Sequence, residues 1–480
     1  MSARLCTRNV DFNVTELDVH NGSMNKIQLQ TFSLAALVLC GCGKETQKSE
    51  SCDLAAQTGC EDGLVCEAVV DGEPACFAPV RIEGTVFDLA DHAAIAAATV
   101  VALDANGAAQ TDVVRTDASG RYSLWVPTVR TQDGQPQMEP VTLRIAAAGY
   151  QPFPLAPRTA LPIDVELVEG DAAIDNATTQ VGLVALPSAT GTVLQGSLGA
   201  KGAGALVVAE IDGAAVATAV AGADGTFVLF DLPAGDVMVS AYRQGVYAAP
   251  EAVVIKEDQD ATLNITVAEA TGSVSGTVNI VNAEGGAETS VILVLESTFE
   301  EQLSRGESPG GLRVAGVTGA FRFENVPPGR YVVLAAYEND DLVRDPDEGI
   351  AGTEIVHIEV PAQGEVELPQ SFKVTGALQT VGPGVDELEK VTGTPELSWG
   401  DDSSEDGYEL RIFDALGNLV YEDTEVPRMT GSETVSYSPE GVAFDSGMVY
   451  QFRVWSFRER NGGRTYISAT EDLRGTFLVN

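Results

Sequence analysis

Cysteine and histidine carry the most specific chemistry available to this chain, which has 7 of the first and 3 of the second. Cys40 and Cys42 stand one residue apart in LVLCGCGKETQ, residues 37–47, where a redox pair, a metal site and a processing signal are the alternatives. Four more, Cys52, Cys60, Cys66 and Cys76, crowd into SCDLAAQTGCEDGLVCEAVVDGEPACF. They form no C-x-x-C pair and have no histidine beside them, which weighs against zinc. His92 lies in DLADHAAI and His357 in TEIVHIEV, too far apart in the chain to suggest a shared triad or metal site. No H-E-x-x-H, G-x-S-x-G or glycine-rich phosphate loop with lysine occurs. Two carboxylates would suffice for glycoside hydrolysis, but the aromatic residues that platform a sugar make up only 6% of the chain. The expectation is therefore a protein that is not an enzyme.

The acidic loop ENDDLVRDPDEG, with Asp340, Asp341, Asp345, Asp347 and Glu348, is the best metal candidate. Calcium takes several carboxylate oxygens from a turn-rich loop, but the glycine and terminal glutamate of an EF-hand are not at their positions. A solvated loop is the expectation, with structural calcium as the weaker alternative and no other cofactor. The net charge of −42 comes from dispersed acids and reads as solubility. Such a surface repels phosphate backbones and anionic headgroups, so nucleic acid and direct electrostatic membrane binding are both disfavoured.

The positioning elements begin at the N-terminus. From Met24 the chain reads MNKIQLQTFSLAALVLCGC, with Lys26 as a positive n-region and residues 32–39 as an apolar h-region. This reads as a secretory signal over 24–41, and its apolar run falls short of the roughly 20 residues of a membrane span. Residues 1–23 are polar, do not read as a signal, and are expected to be an upstream extension. Leu39-Cys40-Gly41-Cys42 resembles a bacterial lipobox, with an aliphatic residue at −3, a small one at −1 and the acceptor cysteine. That resemblance implies cleavage before Cys42, a diacylglyceryl thioether on it and acylation of the new amino group. Several acyl chains anchor a protein almost irreversibly where a single one does not. Gly43 is not the aspartate that retains enterobacterial lipoproteins at the inner membrane, so the resemblance favours the outer membrane. Residues 42–51 read as a flexible tether. The exported segment 52–79 is too short to build a core, so its four cysteines read as two disulfides with three possible connectivities.

From Arg81 a pattern occurs three times. RIEGTVFD, TVLQGSLG and SVSGTVNI, centred on Gly84, Gly196 and Gly276, open the units. Turn–strand blocks follow: TDASGRYSL, ADGTFVL and TGAFRF, of which the second and third run on into DLPAGDVMVSAY and NVPPGRYVVLAAY. Asp and Gly supply hairpin turns, and Tyr122, Phe227 and Phe321 alternate inward as core residues. These blocks resemble the carboxypeptidase regulatory-like domain, a transthyretin-like seven-stranded β-sandwich, over 81–168, 192–267 and 271–372. In that family the modules are accessory, and no catalytic residues carry over. The first unit departs from the pattern through the insertion TVRTQDGQPQMEP, read as a long surface loop. A Lys–Asn isopeptide bond is excluded within the first and third units, which contain no lysine.

The last segment changes character. TPELSWGDDSSEDGYELRIFDALGNLVYEDT and FDSGMVYQFRVWSF alternate strands with acidic and glycine turns. Trp399, and Tyr450 with Phe452 and Val454, resemble the B and F strands of a fibronectin type III domain. That resemblance implies a tyrosine corner at Tyr450 and core positions for Trp399 and Tyr450, while Trp455 is out of phase and faces outward. The expected architecture is all-β: segment 52–79, then sandwiches over 80–187 (the first with a linker), 191–269, 270–372 and 373–480. The functional expectation is an outer-membrane lipoprotein on the periplasmic or surface side, attached to the membrane through its lipid. It would act as a scaffold or adhesion stalk with an extracellular protein or glycan as partner, and without nucleic acid. The alternative is a carbohydrate- or envelope-polymer-binding module, for which Trp125, Tyr247 and Trp455 are the candidate contacts.

Overall fold

A computed structural model describes residues 52–480 apart from 105–106, 138–139, 156–157, 159, 161–162, 164–172, 176, 258, 282–286, 304, 336–341, 345–354, 386–387, 403, 416, 430, 432, 461 and 472–473. The described residues form β-strands and short 3-10 turns, with no α-helix among them. The three repeats use one plan. In the first, the opening strand Val80–Asp88 lies between Arg121–Val126, antiparallel, and Gln180–Leu183, parallel. In the second, Leu194–Ser197 lies between Thr226–Leu229 and Ala261–Asn264 with the same two senses. In the third, Thr271–Val281 pairs antiparallel with Ala320–Val326 and parallel with Gln363–Glu367 and Phe372–Gly376. A second, antiparallel sheet faces each of these, built on Thr99–Leu103, Leu206–Ile211 and Thr289–Leu295 respectively. The opening strand has period 2: Val80, Ile82 and Val86 are buried, while Arg81 is exposed.

The opening glycines have a steric reason. Gly84, Gly196 and Gly276 stand directly opposite Tyr122, Phe227 and Phe321 across the antiparallel ladder. All three aromatic side chains are buried and fold over their glycine. A Cβ at Gly196 would lie 2.3 Å from Phe227 Cζ and 2.2 Å from the Leu263 carbonyl oxygen. Gly196→Ala is expected to cost about 1–3 kcal/mol as overpacking, read as a lower denaturation midpoint of the full chain; an unchanged midpoint would refute this packing. The turns before these strands follow their sequence as well. The Asp117 carboxylate accepts from the Ser119 hydroxyl and from the Ser119 and Arg121 amides, which holds its pKa below the usual range. Asp224 is lowered by the amide and hydroxyl of Thr226. Gly120 and Gly225 close these turns at φ 74° and 78°, where only glycine is unstrained.

The sandwiches share packing. Along Leu206–Ile211, Val207 and Ala209 point into the second core, whereas Leu206 and Val208, with Tyr242, join the third core beside Val291, Leu293 and Tyr331. Because successive side chains alternate faces, one sheet is thus buried on both sides. Backbone bonds Gln244 N–H to Gly310 O, 2.9 Å, and Gly245 N–H to Asn325 O, 2.7 Å, close the same seam.

The C-terminal sandwich sets Thr380–Gly382, Leu397–Gly400 and Thr434–Tyr437 against a larger sheet built on Gly407–Asp414 and Val449–Arg460. Trp399 is fully buried, edge-on to Tyr408 at 5.5 Å. The Tyr450 hydroxyl accepts from the Asp445 amide at 2.8 Å, the geometry of a tyrosine corner.

The insertion at 128–140 is not a free loop. Val129–Arg130 and Pro136–Gln137 form a hairpin whose first strand pairs in parallel with Val65–Val69 of the cysteine-rich segment. Arg130 is buried there, with Nε donating to Glu67 Oε2 at 2.5 Å, Nη2 to the Ala78 carbonyl at 2.8 Å, and the guanidinium 5.0 Å from the Phe77 ring centre. A short polar stretch with glycine and proline looks like surface in one dimension, but its backbone groups complete a sheet and its arginine neutralises a buried acid. The disulfides join Cys52 to Cys66 and Cys60 to Cys76. Gln57 braces the knot, its amide bonding both the N–H and the carbonyl of Cys66.

Candidate functional site

The place where most of the chain converges is a junction of three sandwiches. Arg144 sits mid-strand in Thr142–Ala146 of the first, between the buried Leu143 and Ile145, so its own side chain must leave on the opposite face. There it meets Glu307 of the third, with Nη1 donating to Oε1 at 3.0 Å and Oε2 at 2.8 Å, and Thr218 of the second, with Nη2 donating to Oγ1 at 2.8 Å. Thr218 Oγ1 donates in turn to Glu307 Oε1 at 2.8 Å. The side chains of Arg144 and Glu307 retain 6% and 19% exposure, so the pair is largely shielded from water. Nearby, the Asp231 carboxylate of the second sandwich accepts from the Gly149 amide of the first at 2.5 Å and from the amide of Gly191, where the second begins, at 3.1 Å.

A cavity of about 100 Å³ lies beside this junction, between the first and second sandwiches. Val101, Val113, Val220 and Val228 give it apolar walls, and Arg115 and Arg144 add positive charge. Its chemistry is that of contact. Both Glu307 oxygens accept hydrogen bonds, from Arg144 and Thr218, which fixes the carboxylate in place.

The sequence-selected residues lie elsewhere. His92 occupies an exposed turn at φ 61° and stacks on Phe87 at 5.4 Å. His357 is exposed on Val356–Val360, with Nδ1 3.0 Å from Glu296 Oε1; Glu296 also holds Arg330. Trp125, Tyr247 and Trp455 stand on three different sheets and each is half-buried. Trp455 points away from its core, as its phase predicts, yet the guanidinium groups of Arg411, at 5.3 Å from the ring centre, and Arg453, at 5.4 Å, lie over its ring. The open, shared aromatic platform that a sugar-binding reading needs is therefore not formed by these three. Sγ atoms of Cys52, Cys60 and Cys76 lie within 4.8 Å of one another, but each belongs to a disulfide and offers no thiolate to a metal. Cys42 and the acidic candidates Asp340, Asp341, Asp345, Asp347 and Glu348 lie outside the described residues.

Sequence reasoning missed Arg144, Glu307, Arg130 and Glu67. One signal was present: an arginine inside the apolar run VTLRIAAA is costly to bury without a partner, and so announces one.

No protein-family model matches the chain, and no curated protein matches it. Among solved structures it is similar to BcpA, the major pilin subunit of Bacillus cereus, at 11% identity over 62% of this chain and 99% of that one, with a TM-score of 0.16. It is also similar to the Bacillus anthracis TIE protein, at 12% identity over 89% and 76% with a TM-score of 0.15. A putative carbohydrate binding protein from Bacteroides uniformis matches at 12% identity over 42% and 98%, with a TM-score of 0.18. At such TM-scores these likenesses decide nothing about function, which rests on the chain's own residues.

Proposed function

We propose that the protein is a non-enzymatic scaffold of the bacterial cell envelope, held at the outer membrane by a lipid on Cys42. The disulfide segment would follow the anchor in the chain, and the sandwiches would present their end loops to an extracellular protein or glycan. The reading of the first three sandwiches as carboxypeptidase regulatory-like rests on their opening glycine strand and its turn–strand partner, and that of the fourth as fibronectin type III-like on Trp399 and the Tyr450 corner. One observation carries the scaffold reading. The Arg144–Thr218–Glu307 junction ties three sandwiches to one another through an ion pair and hydrogen bonds largely shielded from water, the arrangement of a part that must hold shape.

The anchor is tested by detergent-phase partitioning of the full chain expressed in a Gram-negative host. Wild type is expected in the detergent phase and Cys42→Ala in the aqueous phase; a Cys42→Ala protein that still partitions into detergent would remove the anchor from this account.

A further inference from the structure

The cavity between the first and second sandwiches holds a charge that the junction beside it does not use. The strands Thr99–Leu103, Val114–Arg115 and Thr142–Ala146 turn Val100, Val114, Leu143 and Ile145 toward the first core. Alternation puts Thr99, Val101, Arg115 and Arg144 on the opposite face, with Arg115 across from Thr99 and Arg144 across from Val101. The second sandwich closes over this face, where Val220 of Ala214–Val220 and Val228 of Thr226–Leu229 complete the walls.

The charges in the cavity are unequal. Arg144 is balanced by Glu307. Among the described residues, the Arg115 guanidinium has no carboxylate or hydrogen-bond partner, and no acidic residue lines the cavity. The Thr99 and Thr226 hydroxyls donate elsewhere, to the Ala146 carbonyl at 3.2 Å and to Asp224 Oδ1 at 2.7 Å. The net charge of −42 is dispersed. Exposed charges are screened beyond about 8 Å at physiological ionic strength, so the lining sets the sign of the cavity.

A guanidinium presents a planar fork that a carboxylate meets with two parallel hydrogen bonds. Arg115 is exposed, which places it at the mouth, and the walls behind it are valines. The volume of about 100 Å³ equals roughly three waters, room for a hydrocarbon chain of about three carbons behind a carboxylate. Phosphate or sulfate would instead press oxygens against valines that cannot bond them.

We infer that the cavity binds a small aliphatic monocarboxylate, with its carboxylate on Arg115 and its chain between the valines of the two sandwiches. Such a ligand touches both sandwiches and so reinforces the junction beside it. The site goes beyond the scaffold reading and does not depend on the lipid anchor.

Titration of the full chain followed by ligand-observed NMR tests it, with sodium butyrate as the probe and butyramide as its uncharged counterpart. Butyrate is expected to bind with a Kd of about 0.1–10 mM, the range open to so few atoms. Butyramide should bind about tenfold more weakly or worse, and Arg115→Gln should weaken butyrate by about the same factor, the worth of a charge-assisted hydrogen bond. Val228→Phe, which fills the cavity, should abolish binding. The site is overturned if butyrate binds more weakly than about 100 mM, if butyramide binds as well as butyrate, or if Arg115→Gln binds butyrate like wild type. Retained binding in a folded Val228→Phe chain would overturn it as well. Should that variant fail to fold, Arg115→Gln decides, since its side chain is exposed.

Discussion

Arg144→Ala is expected to uncouple the unfolding of the first sandwich from that of the second and third, and to destabilise the body they form by about 3 kcal/mol. Removing one partner of a buried pair leaves an uncompensated charge, which typically costs about 3–5 kcal/mol. The lower end applies because the Glu307 side chain keeps 19% exposure and the Thr218 hydroxyl remains as a donor. The loss should show in calorimetry as a broadened or divided transition, since Arg144, Thr218 and Glu307 belong to three different sandwiches. A control separates charge from packing. Arg144→Met combined with Glu307→Leu removes both charges and should recover most of the stability, because apolar replacement of a buried pair is often neutral. If the single variant melts like wild type, the junction is not what joins the sandwiches.

Arg130→Ala should have the second large effect, and a more local one. Glu67 is 1% exposed, and Arg130 Nε at 2.5 Å is its ion-pair partner. Without it, the acid must be buried unpaired, take up a proton or move into water, and any of these weakens the parallel seam between Val65–Val69 and Val129–Arg130. The cost is again about 3–5 kcal/mol, directed at docking of the disulfide segment. Both disulfides should still form, because Cys52–Cys66 and Cys60–Cys76 do not involve the hairpin. Limited proteolysis is expected to cut between residues 77 and 80 in the variant and not in wild type; equal resistance would show that the segment docks without this pair.

What was legible in the sequence depended on the range of the interaction. The opening glycines, the turn aspartates and Tyr122, Phe227 and Phe321 could be placed because each belongs to a strand or hairpin whose period and turn chemistry are local. Trp399 and Tyr450 were legible for the same reason. The insertion at 128–140 was misread because its partner strand lies far earlier in the chain, with Glu67 and Arg130 63 positions apart. Arg144 and Glu307 lie 163 residues apart, and nothing local in either segment names the other. Trp455 shows the limit within a single strand: its phase gives the direction of the side chain, whereas the two arginines that cover it are set by sheet register and cross-strand neighbours.

The central claim is that the sandwiches are joined into a body, rather than strung as independent beads. Calorimetry of the full chain tests it most directly, by comparing the calorimetric with the van't Hoff enthalpy of each transition. The account predicts one dominant transition carrying the first three sandwiches with a ratio near one, with the C-terminal sandwich melting with it or in one further step. Separate, freely additive transitions for each of the first three sandwiches would contradict it.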